Sequence, residues 1–383
     1  MEADGRKRSW SPATRAVHAG LPPGRPGDPL LPGPEFAGPF HLPGDPADAP
    51  YVYGRYGNPT WTRYERALAE LEGGEAVVFA SGMAAIAALL NTLVPPGRAV
   101  LVPQDGYFTT RQLAEELAVR DLEVRLVATD TAAYREALAG TGEAEPPGLV
   151  LVETPANPGL EVCDVRAVAD AAHAAGALVA VDNSLATPLL QVPLELGADV
   201  TVAAGTKTLT GHGDLVIGHV AVADPGHAEA LRTWRRRTGA IPGPFETWLA
   251  HRSLATLGVR LERQCANALA LAELLAERDG VGDVRYPGLP ADPGHPVAAR
   301  QMRGFGPVLG FDLGDAERAE RFLEACRLVV AATSFGGVRS SAERRARWGS
   351  DAVGEGFVRF SAGVEDAEDL CADVDQALEA SAA

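Results

Sequence analysis

Short apolar segments alternate with helical patterns along most of the chain, and this alternation limits the fold more than any other feature. Seven segments have the length and composition of buried strands, at residues 76–80, 99–102, 124–127, 149–152, 177–181, 199–203 and 216–222. Helical spacing of apolar residues lies between them, as at residues 83–93, 107–119 and 165–175. The pattern predicts an α/β fold with a mostly parallel sheet and helices on both faces. A ligand is expected at the carboxyl ends of the strands.

The last third of the chain has a different pattern, which predicts a second, smaller domain. A helical run from about residue 245 to residue 278 leads to apolar strands near residues 308–313 and 356–361, and a closing helix begins near residue 366. We therefore expect three parts: an extended N-terminal arm at residues 1–60, a large cofactor-binding domain at 61–243, and a C-terminal α+β domain at 244–383.

Proline and glycine dominate residues 20–50, which predicts an extended arm without regular helix or strand. The arm and the residues that follow it carry six aromatic side chains: Phe36, Phe40, Tyr51, Tyr53, Tyr56 and Trp61. Disordered linkers usually have fewer aromatic residues, so packing against a partner subunit is the favoured interpretation, and disorder is the alternative.

The composition argues against several classes of partner. The chain has 383 residues, of which 46% are hydrophobic, enough for a large and a small core. A formal net charge of -17 argues against binding to nucleic acid or to an anionic membrane. No apolar run has the length of a membrane span and the N-terminus lacks a signal-peptide pattern, so we expect a cytoplasmic protein. The four cysteines are scattered, and no metal site is expected.

Only two of the 34 basic residues are lysines, Lys7 and Lys207, and the other 32 are arginines. Lys207 lies in the apolar-flanked segment V-T-V-A-A-G-T-K-T-L, whereas Lys7 lies in a basic tail. An arginine guanidinium stays protonated and does not condense with an aldehyde, so the retained lysine indicates a reactive amine that forms a Schiff base. A coding bias that replaced most lysines by arginines is the alternative.

A carboxylate is predicted close to this amine. The segment V-A-V-D-N-S places Asp182 at the end of a buried strand, and Lys207 follows another strand, so both should face one crevice. Pyridoxal phosphate needs an amine for its aldehyde and a carboxylate that keeps its ring nitrogen protonated. A structural ion pair is the alternative. Asn157, in the polar turn E-T-P-A-N-P, is expected to donate a hydrogen bond to the ring hydroxyl.

A phosphate site is predicted where a strand is followed by S-G-M and a helix. Ser81, Gly82 and Met83 begin this helix, whose first amide N–H groups have no partner within the helix and favour an anion. Helix capping alone also explains a serine and a glycine at this position. Tyr107 follows another strand and is expected to stack on the cofactor ring, although ordinary packing of a tyrosine is equally consistent.

Six motifs follow one another along nearly the whole chain. They are Y-G-R-Y-G-N-P-T, A-S-G-M-A-A-I, E-T-P-A-N-P, V-D-N-S-L-A-T-P, G-T-K-T-L-T-G-H-G-D and V-R-F-S-A-G-V-E. Their order resembles that of the Cys/Met-metabolism family of pyridoxal-phosphate enzymes, which includes cystathionine γ-lyase, cystathionine γ-synthase, cystathionine β-lyase and methionine γ-lyase. The resemblance implies the aspartate-aminotransferase fold (fold type I) and a homotetramer of two tight dimers that share active sites.

The resemblance also implies roles for individual residues. Lys207 would bond to the cofactor, Asp182 would pair with its ring nitrogen, and Tyr107 would stack on its ring. Gly82, Met83 and Thr206 would bind the phosphate of the cofactor in their own subunit. Tyr53 and Arg55 would reach the phosphate bound in the neighbouring subunit.

For the amino-acid substrate, the resemblance makes Arg359 the group that binds the α-carboxylate, because a guanidinium matches a carboxylate in bidentate geometry. Substrate contacts are also expected from Tyr53 and Arg339. Arg339 stands where the family often has a glutamate near the distal end of the substrate, and Thr109 stands where methionine γ-lyases tend to have a cysteine. Ala204 replaces the usual serine three places before the lysine, which removes one phosphate contact.

The favoured activity is α,γ-elimination of L-cystathionine. The enzymatic alternatives are γ-cleavage of methionine and γ-replacement on an activated homoserine, because they use the same residues. A catalytically silent scaffold or regulator with this fold is the alternative outside enzymes.

Overall fold

The computed structural model describes residues 10–118, 122–139 and 146–382. Its larger sheet has seven strands: β1 Glu75–Phe79, β2 Val100–Pro103, β3 Val124–Val127, β4 Leu149–Glu153, β5 Leu178–Asp182, β6 Val200–Ala203 and β7 Gly218–Val222. The strand order is β1-β7-β6-β5-β4-β2-β3. Strand β7 is antiparallel to both neighbours and the other pairs are parallel. Each predicted strand coincides with one of these to within two residues at either end, which confirms the mostly parallel sheet.

Thirteen α-helices lie in the described part of the chain. They are α1 Pro12–His18, α2 Pro59–Glu72, α3 Gly82–Leu93, α4 Phe108–Ala118, α5 Thr131–Ala139, α6 Val165–Ala174, α7 Thr187–Leu190, α8 Pro225–Thr238, α9 Pro244–Leu254, α10 Leu257–Ala276, α11 His295–Gln301, α12 Ala316–Ala325 and α13 Ala367–Ser381. No helix within these ranges has the length and apolarity needed to cross a membrane.

Both faces of the large sheet are covered by helices. In β4, Leu149 and Leu151 pack with α3 and α8, whereas Val150 and Val152 pack with α5 and α6. Successive side chains of a strand point to opposite faces, so a strand between two helical layers must be apolar at every position. This explains why the predicted strands are continuous apolar runs rather than alternating ones.

The C-terminal part has a sheet of its own, as predicted. Its strands are β8 Gly282–Arg285, β9 Val308–Asp312, β10 Val330–Ala331, β11 Ser341–Arg344 and β12 Phe357–Ser361, in the order β10-β11-β12-β9-β8. Helices α10, α12 and α13 share a core with this sheet. The sheet brings β12, and with it Arg359, to the carboxyl ends of the large-sheet strands.

The predicted helical run at residues 245–278 is two helices, which differs from the expectation. At the break, the amides of Ala255 and Thr256 donate to carbonyls only three residues earlier. The buried guanidinium of Arg260 donates to the Ser253 carbonyl at 3.1 Å, so this oxygen is satisfied without a continuous helix. The predicted helix at 107–119 begins at Phe108 and is described to Ala118, and Val119 is outside the described residues.

The N-terminal arm is extended after α1 and lies along its own chain. The Glu35 amide donates to Thr60 Oγ1 at 2.9 Å, and Trp248 Nε1 donates to the Pro32 carbonyl at 3.0 Å. Phe36 nevertheless remains 72% exposed. Packing of the arm against a partner subunit and the domain boundaries at residues 60 and 243 remain predictions, and Lys7 is outside the described residues.

Candidate active site

A cavity of about 330 Å³ lies where β4, β5 and β6 end. Most of the predicted site residues line it: Ser81, Gly82, Met83, Tyr107, Asn157, Asp182, Thr206, Lys207 and Arg359. The parallel strands bring residues that are far apart in sequence to this edge, as expected for an α/β sheet.

Lys207 follows β6 and extends its amine into the cavity. The Nζ atom donates to Ser334 Oγ at 2.8 Å and lies 5.1 Å from the centre of the Phe335 ring. Burial and the positive charge of Arg359 lower the pKa of Lys207 to about 8, although Asp182 and Glu343 act in the opposite direction. A lysine with this pKa is partly neutral near pH 7, and the neutral amine is the form that attacks an aldehyde.

Asp182 ends β5, and its carboxylate lies against the same cavity. Its Oδ1 accepts from the amide of Ser184 at 3.0 Å and from Ser184 Oγ at 2.6 Å. Burial raises the pKa of Asp182, and the hydrogen bonds from Ser184 oppose this rise. In the described part of the chain no cationic side chain lies within ion-pair distance of Asp182, so a cationic group bound in the cavity would compensate its buried charge.

Glu153 is a buried acid beside Asp182 on the neighbouring strand, and the sequence analysis gave it no role. Its Oε2 accepts from the Tyr107 amide at 2.7 Å, and its Oε1 accepts from the Asn157 amide at 2.8 Å. Burial and the charge of Asp182 raise the pKa of Glu153 to about 8. Glu153 thereby fixes the backbone of two residues that line the cavity.

The N-terminus of α3 faces the cavity and has donors available for an anion. Ser81 caps the helix through its Oγ, which accepts from the Ala84 amide at 3.0 Å. The amides of Gly82 and Met83 have no partner within the helix. A Cβ atom on Gly82 would lie 2.7 Å from the Cβ of Ala204, so only glycine permits this close approach to the chain after β6.

Thr206 lines the same end of the cavity, but its hydroxyl is engaged with the backbone of Ile217. It donates to the Ile217 carbonyl at 3.1 Å and accepts from the Ile217 amide at 3.0 Å. A hydroxyl has one hydrogen to donate, so donation from Thr206 to a phosphate requires loss of the bond to the Ile217 carbonyl. Its predicted role as a phosphate ligand remains a prediction.

Arg359 is buried in β12, and protein oxygens already engage part of its guanidinium. Its Nη1 donates to Asn157 Oδ1 at 2.5 Å, and its Nη2 donates to the Ser334 carbonyl at 2.8 Å and to Glu343 Oε2 at 2.9 Å. Ser334, which also accepts from Lys207, has a φ of 78°, in the left-handed region that non-glycine residues rarely adopt. Ser334 thus links the lysine to the arginine.

Three predicted site residues lie outside this cavity in the protomer. Arg339 is exposed and lines a second cavity of about 990 Å³, which shares Ser334 with the first. Arg55 donates through Nη1 to the Arg236 carbonyl at 2.6 Å, and Tyr53 is 46% exposed. That Tyr53 and Arg55 bind the cofactor phosphate of a neighbouring subunit therefore remains a prediction.

The wall of the cavity formed by residues 343–351 was not predicted from the sequence. Arg345 and Trp348 line the cavity, and Glu343 lies behind them with no exposed side-chain surface. The segment A-E-R-R-A-R-W has the charge density of a solvated surface. Its composition therefore gives no indication that Glu343 and Arg345 are buried.

The chain is similar to known proteins over nearly its whole length. A model of the Cys/Met metabolism PLP-dependent enzyme family matches residues 44–379. A provisionally named cystathionine gamma-lyase of Streptomyces coelicolor is 55% identical over 371 residues, which are 96% of this chain and 93% of that protein. A cystathionine gamma-synthase of Mycobacterium tuberculosis is 39% identical over 386 residues, 96% of each chain. The solved structure of a methionine gamma-lyase from Micromonospora echinospora is 39% identical, with a TM-score of 0.90, over 97% of this chain and 100% of that chain.

The fold and the family match define a pyridoxal-phosphate-dependent enzyme of fold type I. The chain belongs to the Cys/Met metabolism PLP-dependent enzyme family. The cavity fits the cofactor on independent grounds, because it contains a buried amine of lowered pKa, a buried carboxylate without a cationic partner among the described residues, and a helix N-terminus approached through a glycine.

Proposed function

We propose that the protein catalyses α,γ-elimination of L-cystathionine. The Cγ–S bond breaks, water is consumed, and the products are L-cysteine, 2-oxobutanoate and ammonia. One observation supports the reaction class most strongly. The amine of Lys207 lies in the same buried cavity as Arg359, and its pKa is lowered to about 8. The choice of cystathionine is supported by the relative from Streptomyces coelicolor, which carries the name of this lyase at 55% identity.

The cofactor would be held by residues around the whole cavity. Lys207 would bond to its aldehyde, Asp182 would pair with its ring nitrogen, and Asn157 would donate to its ring hydroxyl. Tyr107 would stack on the ring. The phosphate would be bound by Ser81, Gly82, Met83 and Thr206 together with Tyr53 and Arg55 of a neighbouring subunit. When bound, pyridoxal phosphate supplies an electron sink for the bond that breaks at Cα.

Arg359 and Lys207 would have different roles at Cα of the substrate: Arg359 would orient it and Lys207 would transfer its proton. Arg359 binds the α-carboxylate and thereby fixes the orientation of the Cα–H bond relative to the cofactor ring. With cofactor and substrate bound, the Lys207 amine would accept the proton from Cα of the substrate and would transfer protons between Cα and the substrate carbons that follow it. The lowered pKa of Lys207 favours this role because a base that titrates near neutral pH is effective in both directions.

Tyr107 would donate a proton to the leaving sulfur. Tyr107 lines the cavity and is 37% exposed, and Glu153 fixes its backbone. Arg339 would meet the distal end of cystathionine and pair with its carboxylate. It is exposed, so solvent weakens this pairing to about 1 kcal/mol or less.

Two other reactions of the family share these residues, and named relatives favour each. The relative from Mycobacterium tuberculosis is a cystathionine gamma-synthase, which supports γ-replacement on an activated homoserine as the alternative. One solved structure of the Micromonospora echinospora protein names it a methionine gamma-lyase, which supports γ-cleavage of methionine, whereas another names it a cystathionine gamma-lyase, which supports the proposed reaction. A catalytically silent scaffold is disfavoured, because Lys207, Asp182, Tyr107 and Arg359 are all present in one cavity.

We expect a cytoplasmic homotetramer with active sites shared between subunits. Support comes from Tyr53 and Arg55, which lie outside the cavity of their own protomer, and from the exposed Phe36 of the arm. The net charge of -17 also argues against nucleic acid and anionic membranes as partners.

The test compares substrates side by side. The purified holoenzyme is assayed with L-cystathionine, with L-methionine, and with an activated homoserine plus cysteine, and kcat/KM is measured for each. The proposal expects the highest value for cystathionine, with 2-oxobutanoate as a product. A higher value for methionine, with methanethiol as the co-product, would reject cystathionine as the substrate and leave the lyase class intact.

A further inference from the structure

We propose that Arg345 is a second arginine of the α-carboxylate site and that it donates to the substrate carboxylate beside Arg359. The proposal rests on the proposed function only in that the substrate is an α-amino acid. It assigns a substrate-binding role to a residue of the 343–351 wall that no family motif quoted above contains.

Arg359 alone has too few free donors for a bidentate pairing with a carboxylate. Both bidentate pairings of a guanidinium with a carboxylate use Nη2, either with Nη1 or with Nε. In this protein Nη2 of Arg359 already donates to the Ser334 carbonyl at 2.8 Å and to Glu343 at 2.9 Å. An Nη group has two hydrogens, so both are engaged. Arg359 therefore offers single hydrogen bonds unless it breaks a contact with the protein.

Arg345 lies next to Arg359 and lines the same cavity. Nη1 of Arg345 and Nη2 of Arg359 donate to the same oxygen, Oε2 of Glu343, each at 2.9 Å. One carboxylate oxygen thus bridges two guanidinium groups, and a ligand that reaches one is close to the other. The positive charge of Arg345 also contributes, after burial and Arg359, to the lowered pKa of Lys207.

Arg345 is held in place by its protein contacts and still has free N–H donors. Its Nε donates to Asp351 Oδ2 at 2.8 Å, its Nη2 lies 2.6 Å from the same oxygen, and Arg345 itself is 4% exposed. These contacts and the bond to Glu343 use three of its five N–H groups. One N–H remains on each terminal nitrogen. A guanidinium held in this way loses little conformational entropy when it binds a carboxylate.

The neighbouring Arg347 provides a matched control. Its Nη2 donates to the other oxygen of Glu343 at 3.1 Å, but its side chain is 38% exposed and it does not line the cavity. Arg345 and Arg347 therefore share a carboxylate partner and a charge, and differ in access to the substrate.

The test measures recognition of the carboxylate without bond cleavage. The holoenzyme is titrated with L-alanine, which has no leaving group, and with L-alaninamide, which lacks the carboxylate charge, and the cofactor absorbance gives a Kd for each. The ratio of the two Kd values reports how strongly the carboxylate is recognised. We expect Arg345→Leu to lower the preference for L-alanine by about 10-fold or more, the effect of one hydrogen bond to a charged group. Arg347→Leu should keep the ratio within about 2-fold.

Removal of Arg345 leaves Asp351 buried without its partner, which can prevent folding. The double variant Arg345→Leu with Asp351→Leu removes both charges and should show the same loss of preference. Circular dichroism checks that each variant is folded. The proposal is overturned if Arg345→Leu or the double variant keeps the wild-type ratio, or if Arg347→Leu lowers the ratio as much as Arg345→Leu. Because L-alanine is not cleaved, either outcome is independent of which thioether the enzyme prefers.

Discussion

Replacement of Glu343 by glutamine should destabilise the protein, because this buried carboxylate forms ion pairs with two buried guanidinium groups. Glu343 accepts from Arg359 and from Arg345, each at 2.9 Å, and its side chain has no exposed surface. Loss of one partner from a buried ion pair costs about 3–5 kcal/mol. At about 2.1 cal/mol/K of unfolding entropy per residue, a chain of 383 residues has about 0.8 kcal/mol/K, so Tm should fall by about 4–6 °C.

Glu320→Gln is the matched control. Glu320 is 43% exposed and pairs at 2.7 Å with Arg344, the residue after Glu343 on β11 and on the opposite face of the strand. An exposed pair contributes about 0–1 kcal/mol, so this variant should change Tm by about 1 °C or less.

The pH dependence of the Glu343→Gln effect follows from the same contacts. Burial alone would raise the pKa of Glu343, but the hydrogen bond from Trp348 and the charges of Arg359 and Arg345 outweigh it and lower the pKa. A carboxylate of lowered pKa contributes stability above its unfolded-state pKa of about 4.3, and that stability is lost as the pH falls through the folded-state value. The Tm difference should therefore be constant from about pH 5.5 to about pH 8. Calorimetric melting of both variants decides the matter: equal losses for Glu343→Gln and Glu320→Gln would refute the buried-charge argument.

Four further predictions follow from the site. Borohydride reduction of the holoenzyme should attach the cofactor to Lys207 alone, and peptide mapping that finds it on Lys7 would contradict this. Reconstitution of the apoenzyme with pyridoxal phosphate should accelerate as the pH rises and level off above about pH 8, since the pKa of Lys207 is lowered to about 8; a rate that still climbs at pH 9.5, as an ordinary lysine would give, argues against this. Arg55→Ala and Lys207→Ala subunits, each inactive alone, should recover activity after subunit exchange, and a mixture that stays inactive despite proven exchange would reject shared sites. Arg339→Ala should lower the ratio of kcat/KM for cystathionine over methionine by about 2- to 5-fold, because this arginine is exposed; an unchanged ratio would remove Arg339 from substrate recognition.

The large sheet was predictable because its strands are buried on both faces. Such strands are short continuous apolar runs, and the polar residues that follow them, such as Asp182 and Lys207, stand out against that background. The parallel arrangement then requires these residues to lie at one edge. The motif at Ser81 was predictable for the same reason, since a strand, a glycine and a helix occur together in one segment of the chain.

The wall at residues 343–351 was not predictable, because its burial depends on partners distant in sequence. Strand β11 has the sequence S-A-E-R, which lacks the β-branched and aromatic residues typical of strands. Its pairing with β12 places Glu343 directly opposite Arg359, and this contact converts a charged segment into a buried one. Ser334 also carries no signal in the sequence, since a left-handed conformation at a serine depends on the surrounding structure.

Product analysis tests most directly whether Lys207 carries an α,γ-elimination of cystathionine. Wild-type and Lys207→Ala proteins, both supplied with pyridoxal phosphate, are incubated with L-cystathionine, and the products are quantified by mass spectrometry. We expect L-cysteine, 2-oxobutanoate and ammonia in equal amounts from the wild type and none from the variant. Homocysteine and pyruvate from the wild type, or unchanged turnover by Lys207→Ala, would contradict it.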